Sequence, residues 1–212
     1  SGAAFEQLGS IRRVACDKTG TLTRNQPQVV ATRTTGEHTE TDVLGFAAAL
    51  EAASSHPLAE AITTAATNRP VAVEVEEHPG HGLTGIVGGR RVRVGSPRWI
   101  DPQSLTDQVT VLAGQGMSVI VVEVDDRVAG VIGIRDELRP EAAEAIAALH
   151  AQGVSTVMLT GDNALTAAAI ATQAGISDVR EVGAHAVHDL HRIGRAEVPG
   201  RDLAAGAMVG HS

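Results

Sequence analysis

Residues 11–16 run Ile-Arg-Arg-Val-Ala-Cys and give way abruptly to Asp-Lys-Thr-Gly. That pattern predicts a short strand ending in a loop, with Asp17 at its carboxyl edge. After the Gln26-Pro27 break, residues 29–34 read as a strand, and the Ala/Leu-rich residues 41–53 read as a helix with Thr41 or Asp42 as its cap. Because proline is tolerated in a first helical turn, a second helix is expected behind His56-Pro57, over residues 58–67. From 71 to 94 β-branched residues alternate with polar ones and are cut by Gly80, Gly82, Gly85, Gly88 and Gly89, as in an antiparallel meander. Residues 105–116 look helical, and Ser118–Val124 and 127–134 read as strands around an Asp125-Asp126 turn.

Beyond Arg139 the style changes. A helix is expected over 140–152, a buried strand over 156–159, a Thr-Gly-Asp-Asn loop, and a helix over Ala164–Ala174. This strand-loop-helix rhythm belongs to a parallel sheet, whose ligands gather at the carboxyl ends of the strands. Asp17 and Thr160-Gly161-Asp162 would both lie there. The expected architecture is α/β, with an α+β unit (28–128) inserted into a parallel-sheet domain built from 1–27 and 129–212.

Composition narrows the options. At 212 residues, 43% hydrophobic and 20% charged, the chain can bury the cores of two domains. Phe5, Phe46 and Trp99 are its only aromatic residues, so the cores must be aliphatic and base-stacking surfaces are not expected. A formal charge of −8, with no long Lys/Arg cluster, argues against a nucleic-acid partner. The single cysteine, Cys16, excludes an internal disulfide. No stretch approaches the roughly 20 apolar residues of a membrane-spanning helix, and no signal peptide is expected ahead of Phe5.

The chemistry concentrates at Asp17. A carboxylate at a strand end, followed by Lys and a run of hydroxyl and glycine residues, can attack phosphorus while backbone N–H groups hold the phosphoryl oxygens. A turn that merely contains Asp and Gly is the plainer alternative. The whole run Asp17-Lys18-Thr19-Gly20-Thr21-Leu22-Thr23 resembles the phosphorylation signature of P-type ATPases, which have a haloacid-dehalogenase-like fold. The resemblance implies Asp17 as nucleophile, Lys18 beside the phosphoryl group, and Mg²⁺ held by the Asp17 carboxylate and the Thr19 carbonyl. Related phosphatases carry an acid two positions after the nucleophile. Thr19 stands there, and a hydroxyl is no general acid near neutral pH.

Thr160-Gly161-Asp162-Asn163 resembles the family's second signature, which implies phosphoryl binding by Thr160, Asp162 near ATP and metal, and Gly161 and Asn163 beside the nucleotide. Its plainer reading is a helix entry capped by Asp162 or Asn163. Asp136 and Arg139 resemble a hinge between the two domains. In the insert, Glu51 and Ser54-Ser55-His56-Pro57-Leu58 resemble the His-Pro signature of the heavy-metal-transporting branch, and Gly80-His81-Gly82-Leu83-Thr84-Gly85 resembles its glycine-rich loop. That likeness implies that Glu51 and His56 lie at the adenine end of ATP and that Gly80 and Gly82 let the backbone approach the nucleotide. A local helix start is the plainer reading of His56.

The resemblance weakens beyond Ile176. The family's further Lys and its Gly-Asp-Gly-x-Asn-Asp loop have no counterpart, and no lysine follows Lys18. His185, His188 and His191 form a ladder that could bind a transition metal or lie on a surface helix. The expectation is the ATP- and Mg²⁺-dependent core of a pump exporting a transition-metal cation, on the cytoplasmic side of a plasma membrane, working with its own transmembrane and actuator domains. The alternatives are a catalytically silent nucleotide-binding fragment and a soluble phosphatase of the same fold.

Overall fold

A computed structural model describes residues 11–181. The elements run β1 (Arg13–Asp17), β2 (Gln28–Thr34), α1 (Glu40–Glu51), α2 (Pro57–Ala65), β3 (Ala72–His78), β4 (Gly82–Val87) and β5 (Arg90–Gly95). There follow α3 (Thr106–Gly114), β6 (Ser118–Val124), β7 (Arg127–Arg135), α4 (Ala142–Ala151), β8 (Ser155–Thr160), α5 (Ala164–Ala174) and β9 (Asp178–Glu181). The chain divides into two compact units, Ser1–Arg24 with Leu138–Ser212, and Asn25–Glu137. The His185, His188 and His191 ladder lies outside the described residues.

In the first unit β1, β8 and β9 form a parallel sheet in the order β1-β8-β9, with Asp17 opposite Leu159. β8 is buried from Thr156 to Thr160, the near-continuous apolar run of a strand covered on both faces. Met158 is fully buried and packs with Ile146 of α4 and Ile170, Ala171 and Ala174 of α5. Gly175, at φ +77°, closes α5 in a left-handed cap, as helix ends commonly require.

The second unit is a six-stranded antiparallel sheet in the order β2-β7-β6-β5-β4-β3. One face packs Val92, Val94, Val122, Ile132 and Ile134 against Val43, Leu50 and Ile62 of α1 and α2. The other packs Val119, Val121 and Val131 against Leu112 and Ala113 of α3, with Ile100 and Leu105. Both cores are aliphatic, as the scarcity of aromatic residues requires.

Three expectations are corrected. β7 pairs with β2 on one side and β6 on the other, so residues 129–135 belong to the antiparallel sheet and the division falls at Glu137, not after 128. The cap of α1 is Thr39, neither Thr41 nor Asp42. Its hydroxyl accepts from the Asp42 amide while the Asp42 carboxylate accepts from the Thr39 amide, a reciprocal capping box. α2 begins at Pro57 and stops at Ala65, where Ala66 turns extended. Among the described residues no helix is long and apolar enough to cross a membrane.

Candidate active site

β1 delivers Asp17 to the carboxyl edge of the parallel sheet, and the chain then makes one irregular helical turn over Lys18–Leu22. Gly20 breaks that turn at φ +77°, a conformation that costs a side-chain-bearing residue about 1 kcal/mol or more. Thr23, fully buried, ties the turn shut: its amide and hydroxyl both donate to the Lys18 carbonyl, at 3.0 and 3.2 Å. The Gly20 amide donates back to the Thr23 hydroxyl at 3.3 Å. Arg139 supports the loop from behind. Its Nε donates to the Thr23 carbonyl at 3.1 Å, its Nη2 to the Gly20 carbonyl at 3.2 Å, and its amide to Leu22 at 2.9 Å.

Asp17 is exposed, yet the surrounding protein raises its pKa above the ordinary aspartate value. The amides of Thr19 and Lys18 and the Lys18 charge pull the other way, because they favour the carboxylate. Lys18 is buried, and its Nζ lies 2.8 Å from the Asp162 carboxylate. Thus the loop after β1 and the loop after β8 meet through a lysine and a carboxylate from the two motifs. Thr160, 3% exposed, ends β8 with its hydroxyl accepting from the Asp162 amide at 3.1 Å. Asn163 caps α5, accepting from the Thr166 amide at 3.0 Å and donating to its hydroxyl at 3.1 Å. The amino end of α5 therefore follows directly on Thr160-Gly161-Asp162, and such an end favours anions.

In the second unit Glu51 and His56 meet at Ser54. Glu51 ends α1 and shares a hydrogen bond with the Ser54 side chain, while the Ser54 hydroxyl accepts from the His56 amide at 3.2 Å. Burial raises the Glu51 pKa, the Ser54 bond lowers it, and the charge of Glu77 on β3 raises it further. His56 caps α2 through Nδ1, which accepts from the Leu58 amide at 3.2 Å, so in the neutral ring the proton sits on Nε2. The local helix-start role of His56 is therefore real, and it leaves the exposed Nε2–H directed away from that bond. Gly80 and Gly82 flank His81 in the turn from β3 to β4. A side chain at Gly82 would put its Cβ 2.1 Å from the Val94 carbonyl oxygen, so the backbones of β4 and β5 meet there closer than any other residue allows.

Thr23 and Ser54 act in these clusters although pattern alone singled out neither as a site residue, and Arg139, expected only as part of a hinge, holds the Asp17 loop. Thr23 and Ser54 lie inside the motifs and could have been found by asking which hydroxyl closes each loop. Arg139 lies far away in sequence, and only the pairing of Leu138 with Thr23 brings it near.

The family model of the haloacid dehalogenase-like hydrolases matches residues 11–198. The chain belongs to that family. Among the haloacid dehalogenase-like proteins it resembles the zinc-transporting ATPase of Bacillus subtilis, 40% identical over 187 residues that take in 84% of this chain and 29% of that protein. The probable cation-transporting ATPase G of Mycobacterium tuberculosis is 50% identical over 178 residues, 84% of this chain and 23% of its own length. A zinc-transporting PIB-type ATPase crystallised in its E2.Pi state matches at TM-score 0.64 and 38% identity, over 85% of this chain and 30% of the other. The catalytic CPx-ATPase domain CopB-B, at 23% identity and TM-score 0.64 over 91% of this chain, has the same fold. This haloacid dehalogenase-like chain thus spans less than a third of the length of the two curated relatives.

Proposed function

We propose that the chain is the ATP-binding and phosphorylation core of a P-type pump for a transition-metal cation, placed on the cytoplasmic side of a membrane, with Asp17 as the phosphorylated residue. The observation that carries this reading is the 2.8 Å pair between Lys18 and Asp162, which joins the two signature loops at the ends of neighbouring parallel strands beside Asp17. The likeness to zinc- and cation-transporting relatives supports the cargo class. The Glu51, Ser54, His56 cluster and the glycine turn support a nucleotide on the second unit.

In the reaction a carboxylate oxygen of Asp17 attacks the γ-phosphorus of ATP, the bond from that phosphorus to the bridging oxygen breaks, and ADP leaves with the electron pair. An acyl phosphate remains on Asp17, and water later releases it as inorganic phosphate. The raised pKa of Asp17 marks a carboxylate that the protein solvates less well than water does. Lys18 leans toward Asp162 and would turn to the incoming phosphoryl oxygens, while the Thr160 hydroxyl and the amino end of α5 accept their charge. Hard oxygen donors suit Mg²⁺, and the Asp17 carboxylate with the Thr19 carbonyl would hold it, where it neutralises phosphoryl charge. Among the described residues no three His, Cys, Asp or Glu side chains converge as a metal site.

Incubation with γ-labelled ATP and Mg²⁺ is expected to give an acid-stable, hydroxylamine-labile label that Asp17→Asn abolishes. A second reading, a nucleotide-binding module that does not turn over, is favoured by the engagement of Lys18 with Asp162, a bond that must break before the lysine can meet a phosphoryl oxygen. It predicts ATP binding weakened by His56→Ala with no label on Asp17. Rapid hydrolysis of small phosphoesters without a trapped intermediate would replace both readings with a phosphatase.

A further inference from the structure

Trp99 is the only tryptophan, and it stands against the glycine turn. Its ring lies 5.1 Å from that of His78, the last residue of β3, and 5.9 Å, edge-on, from that of His81 between the two glycines. The Arg93 guanidinium carbon sits 4.6 Å from the Trp99 centroid, within the range of a cation–π contact. Arg93 is itself held by the buried Glu123 carboxylate at 3.0 Å. A Cβ at Gly95 would fall 2.6 Å from the ring and 2.6 Å from the His81 carbonyl oxygen, so ring, turn and β5 are packed without slack. The Ser96 amide donates to the His81 carbonyl at 3.1 Å, the Trp99 amide donates to the Ser96 carbonyl at 3.0 Å, and His78 Nε2 lies 3.0 Å from the Thr84 hydroxyl.

Gly80 carries φ +75° with nothing within 4 Å of a Cβ position, so packing at that residue does not hold it. A glycine in open space samples many backbone conformations, and ordering it on binding costs free energy. The His81 amide closes the turn on the His78 carbonyl at 2.9 Å and His81 Nδ1 lies 3.0 Å from the Pro79 carbonyl oxygen, and the ring that packs on both histidines is the indole. The geometry points to Trp99 as the positioning residue of the glycine turn: clamped by Arg93 and resting on His78 and His81, it holds the Gly80–Gly82 backbone in the shape that receives the nucleotide. This role rests on the nucleotide reading given above. Its consequence is that the Trp99 ring acts through the backbone of the turn and not by stacking on the ligand.

The test compares wild type, Trp99→Leu and Trp99→Phe in the full chain, by calorimetric titration with ATP and by amide hydrogen exchange over residues 80–83. Trp99→Leu is expected to bind ATP about tenfold more weakly with faster exchange in the turn, and Trp99→Phe to stay within about threefold of wild type with the turn still protected. Wild-type affinity and protection in Trp99→Leu overturn the proposal, as does a loss of affinity with no change in exchange. Should Trp99→Leu fail to fold, Trp99→Met decides, because its flexible chain fills the space of the ring without its rigidity. Weaker binding with a faster-exchanging turn then supports the role, and unchanged values overturn it. If wild type itself binds no ATP, the nucleotide reading fails separately, and with it the functional half of the role.

Discussion

At the scale of single residues the site is a balance of carboxylates around one buried lysine. Removing the Asp162 charge by Asp162→Asn leaves the Lys18 ammonium, in a side chain 11% exposed, without its counter-ion at 2.8 Å. A loss of about 2 kcal/mol in urea unfolding is expected, since hydrogen bonds to charged groups and buried pairs weigh that much when broken. Asp17 and Glu51 behave in the opposite sense, because both hold a proton more readily in the folded chain than their ordinary values of 3.8 and 4.5 imply. Their contribution to stability is complete below those ordinary values and is lost as pH rises through the raised ones. Urea midpoints of Asp17→Asn and Glu51→Gln should therefore fall less than wild type between acid and neutral pH. A steeper fall would mean that the folded state prefers these carboxylates charged.

At the scale of elements the caps carry the most direct predictions. Asn163→Ala and Thr39→Ala should each cost about 1 kcal/mol, read by denaturant titration, the first through α5 and the second through α1. Gly82→Ala should cost more, since its Cβ would collide with the backbone of Val94, which cannot swing aside as a side-chain tip can. Ser118–Val124 and Ala164–Ala174 were legible to the residue because turn or capping residues flank them, Gly116 and Asp125 for the strand and Asn163 and Gly175 for the helix. The α1 cap was misplaced because Thr39, Thr41 and Asp42 are all capable, and only the reciprocal bond between Thr39 and Asp42 decides among them. β7 was legible as a strand but not as a member of the second unit, because pairing with β2 is a contact between residues about a hundred apart in sequence, which local pattern does not encode. For the same reason Asp17 and Asp162 were legible as candidates, whereas the Lys18 bridge between their loops and the Arg139 bonds behind them were not.

At the scale of the whole molecule the two units have separate cores, so heat should unfold them separately. Calorimetry is expected to show two transitions. Met158→Ala should lower only the one belonging to the parallel sheet and Ile132→Ala only the other, each by about 2–5 kcal/mol for a fully buried side chain. ATP should raise the transition that Ile132→Ala lowers, by mass action on the second unit. The first and last strands of that unit are partners, Gln28 opposite Arg135, and the Gln26 amide donates to Asp136 at 3.0 Å. Where the chain leaves the parallel-sheet unit and where it returns, Thr23 and Leu138 are paired as well. The insertion is thus a cassette whose entry and exit strands run side by side. Exchanging it for a short loop would span little distance and leave β1, β8 and β9 with every hydrogen bond they now share, so recombination could add or remove the inserted unit at a single seam.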